Sequence, residues 1–423
     1  MALTEQGYRP RLVDEKIKRY LGLFGAVAIE GPKWCGKTWA ALNHANSVVY
    51  IMDPENSYAN RESARLNPAS ILTGDPPLLV DEWQEVPGIW DAVRFASDRV
   101  KEKGLYILTG SVTPRENSYI HSGAGRIGKI RMRTMSLYES GDSSGVVSIA
   151  ELFEGKEVAP NASGLTQEKL IDLIVRGGWP ENLGTSNADS GILPEQYNIA
   201  LANTDITSAD NVRRNPELAL HLLASVARTN TTPALMNTIV ADVQSRFGDV
   251  ARQTVAEYIS TLIRLHVVEE IPQWFPELRD KLRLRKTPKR MLADPSIAIS
   301  ALKAQPGDLA RDPRTLGGAF ENLCLRDLLV YTEVNGAKLS HYRDASGLEV
   351  DAIIEAGTQW AGVEIKMGMH RIDEGVAALR RLSDKMVAKG ASAPAFLAVI
   401  TGGGPLHARS DGVLVIPIDC LGP

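Results

Sequence analysis

The strongest constraint in this sequence is a glycine-rich segment that directly follows a short apolar run. The run AVAIE (26–30) leads into GPKWCGKT, Gly31 to Thr38, which matches the pattern G-x-x-x-x-G-K-[ST] in full. Glycines let such a loop curl until its backbone N–H groups point at phosphate oxygens, and side chains at Gly31 or Gly36 would obstruct that approach. The segment therefore predicts a phosphate-binding loop between a buried strand and a helix.

Every residue of this loop is a candidate nucleotide contact. We expect Lys37 to neutralise the β and γ phosphates and Thr38 to ligate Mg²⁺ through its hydroxyl. Trp34 and Cys35 occupy variable positions of the pattern, so no special chemistry is assigned to either. The predicted contacts are Gly31, Pro32, Lys33, Trp34, Cys35, Gly36, Lys37 and Thr38.

Two further apolar runs end in polar residues that could complete this site. The run PPLLV ends at Asp81 and Glu82, and the run LYIL ends at Thr109. Ligands of open α/β sheets bind at the carboxyl ends of the strands. Asp81 is thus predicted in the Mg²⁺ shell, Glu82 as the acceptor of a proton from the attacking water, and Thr109 as a sensor of the γ phosphate. The alternative is that these residues are ordinary strand ends.

The pattern of apolar runs divides the chain into four regions. Residues 1–140 alternate apolar runs with helical patterns, which predicts a parallel α/β sheet. Residues 141–165 are rich in Gly, Ser and Ala without clear periodicity, which indicates a linker. Residues 166–300 are mostly helical and then strand-like, the outline of a helical lid and a winged helix. Residues 301–423 predict a second α/β domain.

Composition narrows the class of protein. The 423 residues are 44% hydrophobic and 23% charged, which is typical of a soluble globular chain. No apolar run approaches the roughly 20 residues of a membrane span, so we expect neither a span nor a signal peptide. The three cysteines are widely separated, which favours a reducing cytoplasm. The formal net charge of −4 gives no global attraction to nucleic acid, so such binding needs a local patch.

One segment offers such a patch. In RDKLRLRKTPKR, Arg279 to Arg290, seven of the twelve residues are basic. Alternation of cations with leucines would turn the cations of a strand to one face, where they could follow a phosphate backbone. The segment is therefore a candidate nucleic-acid contact. A solvated strand face, or a contact with the acidic remainder of the chain, is the alternative.

The last region contains a second group of candidate residues. Glu321 lies in a helical pattern, Asp351 in EVDAII, and Glu364 and Lys366 in VEIKM. Residues 364 and 366 share one face of a strand, so the carboxylate and the ammonium converge. Glu321, Asp351 and Glu364 form a candidate second metal site, at which Lys366 could orient a water for phosphodiester hydrolysis. A salt-bridge cluster around Lys366 is the structural alternative.

The motifs GPKWCGKT, LLVDEWQ and YILTGS, in this order and spacing, resemble those of an AAA-type P-loop ATPase. With SGAGRIGKIRM around Arg126, RGGWPE (Arg176 to Glu181), GLEVDAII and GVEIKMG, the chain resembles a prokaryotic ATPase family with a C-terminal domain of unknown function. This resemblance implies ATP and Mg²⁺ as cofactors, Arg126 as a candidate arginine finger in a homo-oligomer, and a Gly-Gly-x-Pro turn that touches the base. For Arg126 and the turn, a surface arginine and a plain turn remain the alternatives.

The C-terminal segments also resemble the PD-(D/E)xK nuclease superfamily, which implies a restriction-endonuclease-like fold. The resulting expectation is a cytoplasmic, Mg²⁺-dependent ATPase with Lys37, Asp81 and Glu82 as catalytic residues, whose turnover rearranges a module that contacts nucleic acid or protein. One alternative is a slow or non-hydrolysing nucleotide switch with a C-terminal module that binds DNA or protein or acts as a metal-dependent nuclease. A small-molecule P-loop kinase is another.

Overall fold

The computed structural model describes residues 3–114, 120–210, 212–231, 236–276 and 288–423. The described helices are, in chain order, α1 (Val13–Leu21), α2 (Lys37–Leu42), α3 (Ala59–Leu66), α4 (Gly88–Val100), α5 (Leu137–Ser140), α6 (Ile149–Phe153), α7 (Gln167–Arg176), α8 (Ile192–Ala200), α9 (Ile206–Ser208), α10 (Pro216–Arg228), α11 (Met236–Phe247), α12 (Arg252–Arg264), α13 (Pro295–Ala301), α14 (Pro306–Arg311), α15 (Pro313–Val334) and α16 (Ile372–Ala388).

The described strands are β1 (Ala26–Glu30), β2 (Ser47–Tyr50), β3 (Leu78–Asp81), β4 (Tyr106–Gly110), β5 (Ile127–Arg131), β6 (Val147–Ser148), β7 (Asn161–Ala162), β8 (Val268–Ile271), β9 (Lys289–Leu292), β10 (Lys338–Arg343), β11 (Glu349–Ala356), β12 (Gln359–Ile365), β13 (Leu397–Thr401), β14 (Pro405–Ala408), β15 (Leu414–Pro417) and β16 (Leu421–Gly422).

The chain forms two compact units, each built from several segments. Unit 1 comprises Met1–Thr134, Thr204–Arg214 and Ser260–Val267. Unit 2 comprises Met135–Asn203, Asn215–Ile259 and Val268–Pro423. Two short segments from the middle of the chain therefore belong to the same unit as the glycine-rich loop, which the division at residue 140 did not anticipate.

Unit 1 is built on a five-stranded parallel sheet in the order β2-β3-β4-β1-β5. Successive residues of β1 face opposite sides, so Ala26 and Ala28 join one apolar core and Val27 and Ile29 join the other. Both faces of the sheet are thus covered, which explains why its strands read as continuous apolar runs. The predicted parallel α/β sheet is confirmed, with β5 as a strand that the sequence analysis did not assign.

Unit 2 contains a mixed seven-stranded sheet in the order β10-β11-β12-β13-β15-β14-β7. The β12, β13 and β15 pairs are parallel, and β10, β11 and β12 pair antiparallel. Helix α16 packs Leu379, Leu382 and Met386 into the core under this sheet. The order helix, three strands, helix, strands agrees with the sequence prediction for residues 301–423.

The segment 141–165, predicted to be a linker, instead carries short elements of unit 2. The side chain of Ser148 caps α6, and Ile149 and Leu152 on that helix are buried. Strand β6 pairs with β16, and β7 extends the seven-stranded sheet. Elements of two to five residues leave too little periodicity to be recognised, because tertiary contacts rather than local pattern stabilise them.

In the region predicted as a winged helix, α12 is followed by β8, which pairs antiparallel with β9. Residues 277–287, which include the part of the strand-like pattern from Leu278 to Leu284, lie outside the described residues.

Candidate functional site

The loop between β1 and α2 has a geometry that requires both of its glycines. Gly36 has a φ of 95°, in the left-handed region that glycine adopts without steric cost. A Cβ atom on Gly31 would lie 2.1 Å from the backbone oxygen of Met132, so this position excludes any side chain. We expected both glycines to be needed for the approach of a phosphate. At Gly31 the backbone of Met132 alone already requires a glycine, whether or not a phosphate binds.

Arg11, which the sequence analysis missed, holds this loop from one side. Its guanidinium donates to the backbone oxygens of Cys35, at 2.8 Å, and of Arg133, at 2.9 Å. Cys35 is buried, and its Sγ lies 3.8 Å from the backbone oxygen of Met132. Trp34 is 49% exposed. Arg11 and Cys35 therefore fix the loop backbone in advance of a ligand, and Cys35 serves packing rather than a direct contact.

Both lysines of the loop have protein partners. Lys37 is buried, and its Nζ donates to the backbone oxygen of Pro32 at 2.8 Å. The Nζ of Lys33 lies 2.6 Å from Oδ1 of Asp205, which belongs to the segment 204–214 of unit 1. A neutral carbonyl is a weaker partner for an ammonium group than a phosphate, so Lys37 can exchange it for one. Lys33 already has an anionic partner.

The ends of β3 and β4 bring Asp81 to the first residues of α2. Its Oδ1 accepts hydrogen bonds from the hydroxyls of Thr38, at 2.8 Å, and Thr109, at 2.5 Å. Burial raises the pKa of Asp81, and the two hydroxyls oppose this rise. A hydroxyl and a carboxylate are the hard oxygen ligands that Mg²⁺ takes beside a nucleotide, so Thr38 and Asp81 fit that ion. The sequence analysis expected Thr109 at the γ phosphate, whereas here it contacts Asp81.

Glu82 follows β3 in a strained conformation. Its φ of 59° lies in the left-handed region, which is uncommon for residues other than glycine and recurs at functional sites. Oε2 accepts hydrogen bonds from Nε2 of Gln84 and, at 3.1 Å, from Oγ of Ser111. A Cβ atom on Gly110 would lie 2.9 Å from Oε1 of Gln84, so Gly110 makes room for this side chain. Gln84 thus holds Glu82, a role that no sequence pattern indicated.

Arg126 lies at the opposite edge of the sheet from the loop. In the parallel pairing of β1 with β5, Ala26 faces Ile127 and Glu30 faces Arg131. Arg126 therefore precedes the strand at its amino end, about 16 Å of strand away from the loop at the rise of about 3.3 Å per residue. It forms an ion pair with Asp98. The expectation that Arg126 contacts a nucleotide is wrong for the loop of its own chain.

The turn at Arg176 to Glu181 is accounted for by contacts within unit 2. A Cβ atom on Gly178 would lie 2.1 Å from the backbone oxygen of Met135, and Gly178 N donates to Asp294 at 2.9 Å. The indole of Trp179 donates to Ser296 at 2.9 Å. These contacts explain the glycine and the tryptophan as packing residues, the alternative that the sequence analysis left open.

Unit 2 brings the predicted C-terminal carboxylates together. Glu321 lies on α15, Asp351 on β11 and Glu364 on β12. The Nζ of Lys366 contacts Oε2 of Glu364 directly and lies 3.4 Å from Oδ2 of Asp351. The convergence of Glu364 and Lys366 that the strand spacing predicts is therefore present. We refer to these four residues together with Lys289 as the carboxylate cluster.

Lys289 enters this cluster from β9. It is 1% exposed, and its Nζ lies 2.8 Å from Oε1 of Glu321 and 3.6 Å from Oδ1 of Asp351. Across the described ranges, no group of three or more His, Cys, Asp or Glu side chains is arranged to hold a metal ion. The predicted second metal site at Glu321, Asp351 and Glu364 is thus not formed, because two ammonium groups lie against the carboxylates and neutralise most of their charge.

The remaining charge imbalance shifts the pKa values of the cluster. Burial and the neighbouring Asp351 raise the pKa of Glu321 to about 7 and that of Glu364 to about 8. The pKa of Asp351 is lowered, since Lys289 and Lys366 outweigh its burial. The three carboxylates and two ammonium groups of the carboxylate cluster therefore bind about one proton near neutral pH. This proton is shared by the cluster and is not assigned to one residue.

The basic segment Arg279 to Arg290 lies mostly outside the described residues, which resume at 288. Its last two residues do not present free cations to a ligand. Lys289 is buried in the carboxylate cluster, and Arg290 pairs with Glu270 at 2.9 Å. The prediction of a nucleic-acid contact therefore rests on Arg279 to Lys286 alone.

None of the helices in the described part of the chain is long and apolar enough to cross a membrane.

In sequence, residues 24–140 match the AAA domain family. Residues 167–308 and 316–421 match two families that are each described as a domain of unknown function, DUF8612 and DUF4143. The predicted AAA-type ATPase domain is thus confirmed, and it is followed by a C-terminal domain of unknown function. The AAA match contains the glycine-rich loop, Asp81 and Glu82.

Similarity also extends beyond these single domains. The uncharacterized protein Rv2008c of Mycobacterium tuberculosis and the uncharacterized protein Mb2031c of Mycobacterium bovis are each 23% identical to this chain over 360 residues, 83% of this chain and 72% of theirs. Among solved structures, the Walker-type ATPase PABY2304 of Pyrococcus abyssi aligns with a TM-score of 0.44 and 13% identity, over 71% of this chain and 97% of that one.

Proposed function

We propose that the chain binds ATP with Mg²⁺ at the loop Gly31 to Thr38 and hydrolyses it. The observation that carries this proposal is the meeting of Thr38 and Asp81, 2.8 Å apart, with Glu82 adjacent to Asp81. A bound Mg²⁺ would offset phosphate charge and orient the γ phosphate. Thr38 and Asp81 would hold the ion, and Lys37 would exchange the oxygen of Pro32 for a phosphate oxygen.

Glu82 is the group best placed to take a proton from the attacking water. Gln84 and Ser111 donate to the same carboxylate oxygen, so they fix its orientation and, within the part of the chain that the structure describes, leave Oε1 without a hydrogen-bond donor. Glu82 is therefore assigned as the base, and Gln84 and Ser111 as positioning residues.

The experiment that tests turnover is Glu82→Gln, which removes the base while preserving size and the metal ligands. We expect ATP binding to persist and hydrolysis to drop by roughly 10² or more. Glu85→Gln is the matched control, because Glu85 is an exposed carboxylate three residues away. Equal phosphate release from the wild type and Glu82→Gln would favour the second candidate, a nucleotide switch that does not depend on hydrolysis.

The wider proposal is that ATP turnover biases a C-terminal module that contacts protein or nucleic acid. The basic residues from Arg279 to Lys286 support a nucleic-acid contact. The neutralised carboxylate cluster supports a binding role over cleavage for unit 2. A homo-oligomer in which Arg126 of one copy serves the site of the next agrees with the half-exposed position of this residue. The three cysteines are buried and unpaired, which supports a reducing cytoplasm.

A further inference from the structure

The segment that follows β4 links the proposed base to the end of helix α12. Ser111 donates to Glu82 at 3.1 Å, and two residues later Thr113 forms two hydrogen bonds with Arg264. Thr113 N donates to the backbone oxygen of Arg264 at 2.9 Å, and Nε of Arg264 donates to the backbone oxygen of Thr113 at 3.0 Å. The orientation of Ser111 is therefore tied to Arg264 through two covalently adjacent peptide units.

The side chain of Thr113 adds a second connection. Its hydroxyl lies 3.4 Å from Oε2 of Glu30, the last residue of β1, and 3.4 Å from Nε2 of His266. His266 is buried with a φ of 62°, and its backbone oxygen accepts from Arg131 at 3.5 Å. His266, just after α12, thus contacts the end of β5 directly and the end of β1 through Thr113.

A third set of contacts joins the two short segments from the middle of the chain that belong to unit 1. Nη2 of Arg264 donates to the backbone oxygen of Ala209 at 2.5 Å, and Arg264 lies 3.5 Å from Asp210. Arg214 pairs with Asp210 at 2.7 Å and donates to Thr261 at 2.9 Å. We call residues 204–210, 212–214 and 260–267, held together in this way, the clasp.

The clasp touches the nucleotide site at two separate places. Asp205 ends a π-helical turn, Leu201–Asp205, and pairs with Lys33 of the loop at 2.6 Å. Arg264 contacts the segment that carries Ser111. Single π turns insert an extra residue into a helix and recur at functional sites. The clasp therefore contacts both Lys33 of the glycine-rich loop and the segment that carries Ser111.

We propose that the clasp senses the nucleotide and that Arg264 is a positioning residue for Glu82, acting through Thr113 and Ser111. The inference rests on the proposed ATP site. Lys33 carries a single positive charge. A phosphate that binds Lys33 therefore competes with the ion pair between Lys33 and Asp205, which is one of the two places where the clasp touches the site. Coupling between two binding equilibria is reciprocal, so a nucleotide that alters the contact of Lys33 with Asp205 is itself bound differently when that contact is altered. Arg264 acts on turnover instead, through the segment that carries Ser111.

The wild-type chain provides the first test. Hydrogen exchange is measured at the amides of 204–210 and 260–267 with and without Mg²⁺ and a non-hydrolysable ATP analogue, with binding of the analogue measured by calorimetry. We expect exchange rates in both segments to change by about tenfold, within the range of typical coupling between sites. Unchanged exchange with the analogue bound overturns the inference and leaves the ATP site standing. Absence of binding overturns the ATP site itself.

Variants then separate positioning from simple packing. Arg264→Lys keeps the charge near Asp210 but cannot reproduce the fork of guanidinium donors to Thr113 and Ala209. We expect kcat for ATP to fall about tenfold, with affinity for the analogue changed less than about threefold, and the nucleotide-dependent exchange change to disappear. Arg311→Ala, which removes an exposed arginine paired with Asp308, is the control and should match the wild type.

A purely structural role gives a different result. In that case Arg264→Lys lowers the melting temperature, while kcat and the nucleotide-dependent exchange change stay at wild-type values, and the inference fails. Thr113→Val is the second variant, because it removes only the hydroxyl near Glu30 and His266 and is nearly isosteric. It should reduce the nucleotide-dependent change in the exchange of 260–267. An exchange response equal to that of the wild type would argue against the Thr113 connection.

Discussion

Replacing Lys289 with methionine tests the carboxylate cluster directly. The substitution keeps an unbranched apolar stem and removes the ammonium group that lies 2.8 Å from Glu321 and 3.6 Å from Asp351. At an effective dielectric constant of about 20, each of these attractions is worth roughly 5 kcal/mol before desolvation is subtracted. Removing one partner of a buried ion pair leaves an uncompensated buried charge. We therefore expect the free energy of unfolding of the seven-stranded sheet to fall by about 3–5 kcal/mol.

The destabilisation caused by Lys289→Met should increase as the pH rises. Folding raises the pKa of Glu321 to about 7 and of Glu364 to about 8, so these groups stabilise the fold most at low pH and their contribution is lost as pH rises through those values. Lys289→Met makes the ionised cluster more negative. Its cost should therefore be greater at about pH 8 than at about pH 5, where both glutamates bind protons in the folded state.

Native-state hydrogen exchange of amides in β11 and β12 measures this local free energy. The matched control is Arg290→Met, which removes the neighbouring cation from a pair with Glu270 whose carboxylate is 35% exposed, and should cost at most about 1 kcal/mol. If both variants lose the same small amount of local unfolding free energy, and this amount does not change with pH, the account of Lys289 is refuted. Recovery of Lys289→Met by Mg²⁺ or Mn²⁺ would show instead that the carboxylates can hold a metal.

Two predictions concern nucleic acid. Neutralising Lys281, Arg283 and Arg285 together should flatten the dependence of log K on log salt by about 2.7 for duplex DNA, and a wild-type chain without salt-dependent DNA binding would remove the basic segment from the proposal. With Mg²⁺ or Mn²⁺ present, we expect no cleavage of single- or double-stranded DNA, and we expect Asp351→Ala to lower the melting temperature. Metal-dependent cleavage that is lost in both Asp351→Ala and Lys366→Ala would establish a nuclease and contradict this interpretation.

The parts of the fold that the sequence predicted are those with a strong local pattern. The loop Gly31 to Thr38 has a fixed residue spacing, and the strands beside it are buried on both faces, so their apolar runs are continuous. Glu364 and Lys366 could be placed on one face because strand side chains alternate with a period of two. Local rules were sufficient in each of these cases.

The parts that were missed depend on pairing over long distances in the chain. Lys289 reaches Glu321 across 32 residues, and Arg264 reaches Thr113 across 151. Nothing in the composition of the basic segment distinguishes Lys289, which is buried, from the other cations of the segment. Arg126 was misplaced for a related reason, since the strand β5 that follows it was not recognised, and only its parallel pairing with β1 puts Arg126 at the far edge.

Calorimetric titration of the full chain with ATP and Mg²⁺, beside Lys37→Ala, tests the central claim most directly. Lys37 is the buried cation of the glycine-rich loop, and among the described residues its hydrogen-bond partner is the neutral oxygen of Pro32. The account predicts that Lys37→Ala weakens ATP binding at least about tenfold, equivalent to about 1.4 kcal/mol. Equal ATP affinity in the two proteins would contradict the assignment of this loop as the nucleotide site.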